Sequence, residues 1–202
     1  MINNRSMAKF DAILMASGFS RRFGAHDKLL QDFLGKPLTC HTLELVCGMP
    51  EFSDVIFVAA SPEVAKLASG TRARVIRNGA PERGMCESIR LGVAASSAVF
   101  YCLFQCDQPL LEASALRKLL GAARPGAIVE PEADGSGRSP SIFSDAFREE
   151  LLSLRDRERG AIIKERHRNA VVSVAFDDAA IIADIDTPEQ LNILQEAKTC
   201  LR

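Results

Sequence analysis

Short apolar runs alternate along the chain with stretches whose apolar residues recur at helical spacing. Strands are predicted for the apolar runs over residues 12–16, 54–60, 74–77, 100–106, 127–130 and 171–176. Helices are predicted for the amphipathic stretches over residues 38–47, 62–68, 86–96, 113–122, 145–154, 161–166 and 188–198. The run Val55-Ile56-Phe57-Val58 is apolar without interruption, as is typical of a strand covered on both faces. The pattern predicts an α/β fold with a mostly parallel sheet between helical layers.

Length and composition favour one folded domain. The chain has 202 residues, of which 47% are hydrophobic, and a chain of this length buries roughly 70% of its unfolded surface. We expect a polar N-terminal tail over residues 1–10 and a single domain over residues 11–202. Residues 132–138 combine glycines with charges, so we expect them to form a loop rather than a linker between domains.

Charge and cysteine usage exclude several classes of protein. The formal net charge of -1 provides no basic field, which argues against nucleic acid as a partner. The apolar run over residues 12–16 is too short for a membrane span or for the core of a signal peptide, so we expect a cytoplasmic protein with no membrane partner. The six cysteines include no Cys-x-x-Cys pair, which argues against a zinc site or a disulfide framework.

The first predicted strand runs directly into a loop that carries glycine and basic residues. Gly18 and Gly24 can adopt backbone angles closed to other residues and let main-chain N–H groups approach an anion. Arg22 and Lys28 supply positive charge for phosphate oxygens. The alternative is a solvated turn between a strand and a helix. We interpret the segment as a cradle for a nucleoside triphosphate.

Two better-known phosphate loops do not fit this spacing. A Walker loop ends in Gly-Lys-Ser or Gly-Lys-Thr, whereas this loop continues as Gly24-Ala25-His26. A dinucleotide fingerprint has glycine at its first, third and sixth positions, but Ser20 and Phe23 occupy the last two. A nicotinamide or flavin site is therefore disfavoured.

Carboxylates follow a buried strand and precede the last helix. Asp107 comes directly after the apolar run over residues 100–106, at the edge where such sheets bind ligands. One such carboxylate suffices for Mg²⁺ when substrate phosphates complete its coordination, although Asp107 could instead cap the following turn. Asp184 and Asp186 are both candidates for a second ligand, because they point the same way in an extended segment. Asp186 or Thr187 could also cap the final helix.

The segment over residues 78–92 begins as a turn and continues as a helix. Asn78, Gly79 and Gly84 lie in the turn, and Ser88 lies on the helix. Exposed N–H groups at a helix entrance and a hydroxyl can read the edge of a pyrimidine. The segment is therefore a candidate base pocket, and the alternative is an ordinary loop and helix cap.

Three segments together resemble a known family. The first loop, Met15-Ala16-Ser17-Gly18-Phe19-Ser20-Arg21-Arg22-Phe23-Gly24 followed by Lys28, resembles Leu-Ala-Ala-Gly-x-Ser-x-Arg-Met-Gly-x-x-Lys, a signature of nucleotidyltransferases. Asp107-Gln108-Pro109 and the segment Asp-Ile-Asp-Thr-Pro-Glu over residues 184–189 match two further motifs. On these motifs, residues 11–194 resemble the molybdenum cofactor cytidylyltransferase family, a relative of the molybdopterin guanylyltransferases.

The resemblance implies a Rossmann-like three-layer α/β/α sandwich of the nucleotide-diphospho-sugar transferase type. It implies that CMP is transferred from CTP to the terminal phosphate of molybdopterin, the molybdenum cofactor, and that pyrophosphate is released. Arg22, Lys28 and Asp107 would be catalytic, and Mg²⁺ would be held by Asp107 and Asp186. The implied recipient of the product is a molybdenum hydroxylase apo-enzyme.

The remaining implied contacts divide between nucleotide and acceptor. Nucleotide contacts are expected from Ala16, Ser17, Gly18, Arg22, Lys28, Asn78, Gly79, Gly84, Ser88 and Asp107. Acceptor contacts are expected from Gln108, Pro109, Ser139 and Pro140. The chain departs from the family in lacking the usual His within residues 137–143, and the Asp and Arg of the Asp-x-Gly-Ala-Arg segment within residues 159–162.

Three alternatives to this function stay open. Guanylyltransferases usually have Ala-Gly-Gly where this chain has Ala16-Ser17-Gly18, and the side chain of Ser17 leaves less room for a purine, which favours CTP over GTP. A sugar-phosphate or alcohol-phosphate nucleotidyltransferase would share the loop and the metal carboxylate. A non-catalytic carrier of the cofactor would have little need of a second carboxylate beside a triphosphate.

Overall fold

The computed structural model describes residues 9–18, 23 and 27–199. The strands are β1 Phe10–Ala16, β2 Asp32–Phe33, β3 Lys36–Pro37, β4 Phe52–Ala59, β5 Arg74–Arg77, β6 Phe100–Gln105, β7 Ile128–Ala133, β8 Ser136–Gly137, β9 Ser141–Ser144 and β10 Val171–Ala175. The helices are α1 Leu38–Cys47, α2 Pro62–Lys66, α3 Met85–Ala95, α4 Ala113–Gly121, α5 Arg148–Leu152, α6 Ala161–Arg166 and α7 Pro188–Thr199. Short 3₁₀ turns cover Lys28–Leu30, Pro81–Arg83, Asp145–Phe147, Arg168–Ala170 and Ala179–Ile182.

Eight of the described strands form one mixed sheet in the order β10-β7-β9-β6-β1-β4-β5, with β8 paired to β7. Strands β6, β1, β4 and β5 are parallel to one another, and β10 is parallel to β7. Strand β9 is antiparallel to both β6 and β7, so β7 and β10 run in the same direction as β6. All these strands except β8 and β9 therefore end at one edge of the sheet, where α/β proteins bind their ligands.

Alternating side chains of the central strands supply two separate cores. Leu14 packs on the face that also buries Leu43 of α1, whereas Ile13 packs on the face that buries Ile89 of α3. Buried residues of α4 join the first core, and those of α5 and α6 join the second. Helices thus cover both faces of the sheet, which confirms the predicted three-layer α/β/α fold.

One close approach between layers depends on glycine. Gly92 of α3 lies directly over β1, and a Cβ atom at this position would stand 2.2 Å from Cγ2 of Ile13. Because that separation is far inside van der Waals contact, glycine at residue 92 lets α3 lie close to the sheet.

The structure differs from the sequence predictions after β6. The prediction of a loop over residues 132–138 is wrong. Strand β7 continues to Ala133, and a turn at Asp134 and Gly135 connects it to β8. Both turn residues have positive φ, 54° and 73°, as a two-residue hairpin turn requires. Strand β9 was not predicted at all, and the helix predicted over residues 145–154 is a 3₁₀ turn followed by the shorter α5.

No helix within the described ranges is long and apolar enough to cross a membrane. The five cysteines in those ranges are all free, and Cys86, Cys102 and Cys106 are buried.

Candidate active site

A lysine lies against carboxylates just beyond the carboxyl end of β6. Lys28 begins the 3₁₀ turn that follows the first loop, and Asp27 caps this turn by accepting a hydrogen bond from the Leu29 amide at 3.0 Å. The Lys28 Nζ atom lies 2.6 Å from Oδ2 of Asp107, two residues after β6, and 3.5 Å from Oδ1 of Asp186. The side chains of Lys28 and Asp107 are only 12% and 11% exposed, whereas that of Asp186 is 40% exposed. Lys28 and the two carboxylates predicted to hold the metal, Asp107 and Asp186, therefore form one cluster, open on the side of Asp186.

A third carboxylate, Asp184, belongs to the same cluster. Burial and the negative charges of Asp107 and Asp186 raise the pKa of Asp184 to about 6, against smaller opposing effects of Lys28 and Arg138. The backbone also holds the two segments together, since the Ile185 amide donates to the Asp107 carbonyl at 2.9 Å. The site thus carries more negative charge than one lysine neutralises.

The donor set fits a divalent cation that is shared with a substrate. Oδ1 of Asp107 and Oδ1 of Asp184 are buried and accept no hydrogen bond from the described residues. Among those residues no group of three or more His, Cys, Asp or Glu side chains is arranged to hold a metal. Mg²⁺ commonly takes one or two carboxylates and completes its octahedron with water and phosphate oxygens. The unbonded oxygens of Asp107 and Asp184 are suited to that partial coordination, and Asp186, 3.5 Å from Lys28, is the more exposed carboxylate beside them.

The strand end of β1 carries the described part of the glycine loop. Ala16 is buried at the end of the strand, and the Ser17 hydroxyl donates to the Val58 carbonyl of β4 at 3.0 Å. Gly18 is exposed, and a Cβ atom there would meet nothing within 4 Å. Arg22, like Gly24 and His26, lies outside the described residues.

The candidate base loop follows β5 and is held by its own side chains. Asn78 is buried; its amide nitrogen donates to the Ser88 hydroxyl at 3.2 Å, and its amide oxygen accepts from the Ala80 backbone at 2.9 Å. Ser88 is 2% exposed, so its hydroxyl lies behind the loop surface. Gly79 is exposed at the turn. Asn78 and Ser88 thus fix the loop, and Gly79 lies on its surface.

Gly84 makes a contact that the sequence did not indicate. Its φ is 93°, and a Cβ atom there would approach the Cα atom of Arg157 to 3.4 Å. The Arg157 amide donates to the Arg83 carbonyl at 2.7 Å. The chain before α6 therefore lies directly against the candidate base loop. No local pattern signals this contact, because it joins residues more than 70 positions apart.

The residues predicted to bind the acceptor surround one buried glutamine. Gln108 is 1% exposed, and its amide nitrogen donates to the carbonyls of Ser139 and Ile182, both at 2.9 Å. Pro140, which follows a cis peptide bond, is buried, whereas Pro109 and Ser139 are partly exposed. Gln108 therefore ties the entry to β9 and the segment before Asp184 to the end of β6, and Ser139 and Pro109 reach the surface.

Comparison with known proteins finds related sequences along most of the chain. The family model described as MobA-like NTP transferase domain matches residues 12–171. The chain is 30% identical over 193 residues to the molybdenum cofactor guanylyltransferase of Bordetella pertussis, covering 91% of this chain and 95% of that protein. It is 25% identical over 198 residues to the 2-C-methyl-D-erythritol 4-phosphate cytidylyltransferase of Dehalococcoides mccartyi strain 195, covering 91% and 86%.

Solved structures show the same fold. A nucleotidyl transferase from Methanothermobacter thermautotrophicus superposes with a TM-score of 0.84 at 18% identity, covering 96% of this chain and 99% of the other.

Proposed function

The chain belongs to the family of MobA-like NTP transferase domains and is a nucleotidyltransferase, and we propose that it transfers CMP from CTP to the terminal phosphate of molybdopterin in a Mg²⁺-dependent reaction. The observation that carries this proposal is Lys28, whose ammonium lies within 4 Å of both Asp107 and Asp186. A positive charge held between two carboxylates at this edge suits a site where phosphates and a cation meet.

Lys28 has to change partners when a nucleotide binds. In the present arrangement its Nζ atom donates to Asp107 at 2.6 Å. A triphosphate entering from the glycine loop offers the ammonium phosphate oxygens, and Lys28 then offsets charge at the α-phosphate and on the departing pyrophosphate. The acidic cluster left behind would attract a cation that comes with the nucleotide.

Asp107 and Asp186 would hold the Mg²⁺. The ion would supply Lewis-acid stabilisation of phosphate charge and would draw nucleotide and acceptor phosphates together. The protein contributes the orientation of these carboxylates, since the amide of Ile185 is bonded to the carbonyl of Asp107. Arg22 would add positive charge at the triphosphate, and no covalent enzyme intermediate is required.

Cytidine as the base is supported by the first loop. Ser17 fills space at the end of β1, with its hydroxyl bonded to β4, where a glycine would leave room for a purine. The base would lie against the turn of Gly79 and Gly84, with Asn78 and Ser88 holding that turn in place. GTP is a second candidate, because the Bordetella relative is named a guanylyltransferase. A molybdenum hydroxylase apo-enzyme would be the recipient of a cytidylylated cofactor.

Thermal unfolding with different nucleotides tests this proposal. The protein is heated with Mg²⁺ and CTP, GTP, ATP or UTP, and a ligand at one hundred times its Kd adds about 2.7 kcal/mol of stability. We expect CTP to raise the Tm most. A larger rise with GTP would favour the guanylyl reaction, and no response to any of the four would contradict a nucleotidyltransferase that uses them.

A further inference from the structure

Arg138 places a second positive charge beside the carboxylate cluster. It follows the β7–β8 hairpin and precedes β9, and its amide donates to the Pro131 carbonyl of β7 at 2.9 Å. Its charge lowers the pKa of Asp184, against the larger effects of burial and of the neighbouring carboxylates, which raise it. An opposite charge has such an effect at short separation. The guanidinium of Arg138 therefore lies near Asp184.

The backbone fixes Arg138 at the ligand-binding edge of the sheet. Strand β9 is antiparallel to β6, and its first residue pairs with Leu103. The chain before β9 therefore lies at the same edge as the chain after β6. Gln108 ties these two segments together, because its buried amide nitrogen donates to the Ser139 carbonyl at 2.9 Å. Arg138 and Asp107 are thus each one residue away from this hydrogen bond.

The Nε atom of Arg138 is left unbonded. It is buried and has no hydrogen-bond partner among the described residues. Lys28, by contrast, lies against Asp107 and Asp186. A buried N–H without a partner is uncommon in native proteins, and it calls for a water, ion or ligand that completes its bonding. Arg138 as a whole is partly exposed, so a ligand can reach the guanidinium.

A phosphomonoester is the ligand that suits this guanidinium. The Nε atom and one Nη atom form a planar fork that binds two oxygens of one phosphate. A phosphomonoester has three terminal oxygens, so the third is left for the formation of a bond. A carboxylate also fits the fork, but both of its oxygens are then occupied. The cation proposed at the cluster offsets the repulsion between the phosphate and the carboxylates.

The order of the strands separates Arg138 from the nucleotide. The glycine loop follows β1 and the candidate base loop follows β5, and both strands lie on one side of β6, whereas β9 lies on the other. Lys28 follows the glycine loop, and Arg138 precedes β9. The two cations therefore approach the cluster from opposite sides, and two polyanions that meet there each have a cation of their own.

We propose that Arg138 binds the terminal phosphate of the acceptor, with its Nε atom and one Nη atom donating to two of the phosphate oxygens. The third oxygen forms the new bond to the α-phosphorus of the nucleotide. The bond from that phosphorus to its bridging oxygen breaks, and pyrophosphate leaves with the electron pair. This assignment rests on the proposed function, in which the acceptor is a phosphate.

Methyl phosphate tests the assignment whatever the rest of the acceptor is. The full chain is titrated with methyl phosphate and Mg²⁺ in a calorimeter, with and without a saturating α,β-methylene analogue of CTP or GTP, which cannot release pyrophosphate. In the nucleotide-loaded protein Arg138→Met should raise the Kd for methyl phosphate at least about tenfold, because two charge-assisted hydrogen bonds are lost. No binding to the wild type, or an unchanged Kd in Arg138→Met, would overturn the proposal.

Arg124→Met is the matched control. Arg124 is exposed and precedes β7, at the opposite edge of the sheet, so this variant loses the same charge far from the cluster. Its Kd for methyl phosphate should equal that of the wild type. An equal loss of affinity in both variants would mean that net charge alone governs binding, and it would contradict the assignment.

Arg138→Lys separates phosphate binding from simple neutralisation of Asp184. Lysine keeps a positive charge near Asp184 but lacks the planar fork. We expect Arg138→Lys to keep the Tm of the wild type and to bind methyl phosphate several-fold more weakly than the wild type. Full recovery of both the Tm and the methyl phosphate affinity would show that only the charge is needed, and it would overturn the bidentate contact.

Nucleotide affinity distinguishes failure of this proposal from failure of the proposed function. Arg138→Met should bind the nucleotide analogue as tightly as the wild type. Weaker nucleotide binding with unchanged methyl phosphate binding would assign Arg138 to the triphosphate and overturn the proposal. A wild-type protein that binds no nucleotide, but binds methyl phosphate through Arg138 in the presence of Mg²⁺ alone, would contradict the proposed function and support the phosphate site.

Discussion

Replacing Asp184 by Asn should make the protein more stable at neutral pH. Burial and the nearby charges of Asp107 and Asp186 raise the pKa of Asp184 from 3.8 to about 6. At about 1.4 kcal/mol for each tenfold change in proton affinity, this difference corresponds to about 3 kcal/mol. Asn has nearly the same shape and no charge, so it avoids the cost of a buried carboxylate at every pH.

Proton linkage decides whether the stability of the wild-type protein rises or falls with pH. Below about pH 4 Asp184 is protonated in both the folded and the unfolded chain. Between about pH 4 and pH 6 only the folded chain keeps the proton, so the free energy of unfolding decreases as pH rises. Above that range Asp184 is charged in both the folded and the unfolded chain, and the free energy of unfolding decreases no further because of this group. The difference between Asp184→Asn and wild type should therefore grow from near zero at pH 4 to about 3 kcal/mol at pH 7.5.

Urea unfolding in chelator-containing buffer at several values between pH 4 and pH 7.5 measures this difference. Asp134→Asn, at the exposed turn between β7 and β8, removes one acidic charge from the surface and serves as the matched control. A stability difference between Asp184→Asn and wild type that is the same at pH 4.5 and pH 7.5 would refute the reasoning. The pKa of Asp184 would then not be raised by burial and by the neighbouring carboxylates.

Other substitutions test the site and the packing that supports it. Lys28→Ala should lower kcat for pyrophosphate release by about 10²–10³-fold with an unchanged circular dichroism spectrum, because the ammonium offsets charge that develops during transfer, and an unchanged kcat would contradict this role. Gly92→Ala should reduce the free energy of unfolding by about 1–3 kcal/mol in urea, since the new Cβ would lie 2.2 Å from Ile13; a variant as stable as wild type would show that α3 can move aside. Gln108→Leu should lower the free energy of unfolding in urea by about 2–4 kcal/mol, because the carbonyls of Ser139 and Ile182 lose their hydrogen-bond donor. A decrease well below 1 kcal/mol would mean that water replaces the amide.

The elements that are specified by local pattern could be predicted from the sequence. β1 and β4 are buried apolar runs, and their positions agree with the prediction to within two residues. The placement of Asp107 after β6 followed from the same reasoning, since parallel strands end at one edge. The fold class and the position of Asp107 at the ligand-binding edge were therefore accessible from the sequence, whereas the contact of Lys28 with Asp107 and Asp186 was not predicted, because Lys28 had been assigned to phosphate oxygens.

The parts that were missed depend on contacts between distant residues. β9 has only four residues, and it is a strand because it pairs with β6 and β7 rather than because of its own pattern. The burial of Ser88 behind Asn78 likewise depends on how α3 packs under the loop. The approach of Arg157 to Gly84 joins segments that no periodicity relates.

Pyrophosphate release in the presence of nucleotide, Mg²⁺ and molybdopterin tests the central claim most directly. The account predicts release that requires all three components, is fastest with CTP, and falls at least about 10³-fold in Asp107→Asn, which retains the shape of the residue but removes the charge that would hold the cation. Release that is absent with every nucleotide, or that is undiminished in Asp107→Asn, would contradict the account.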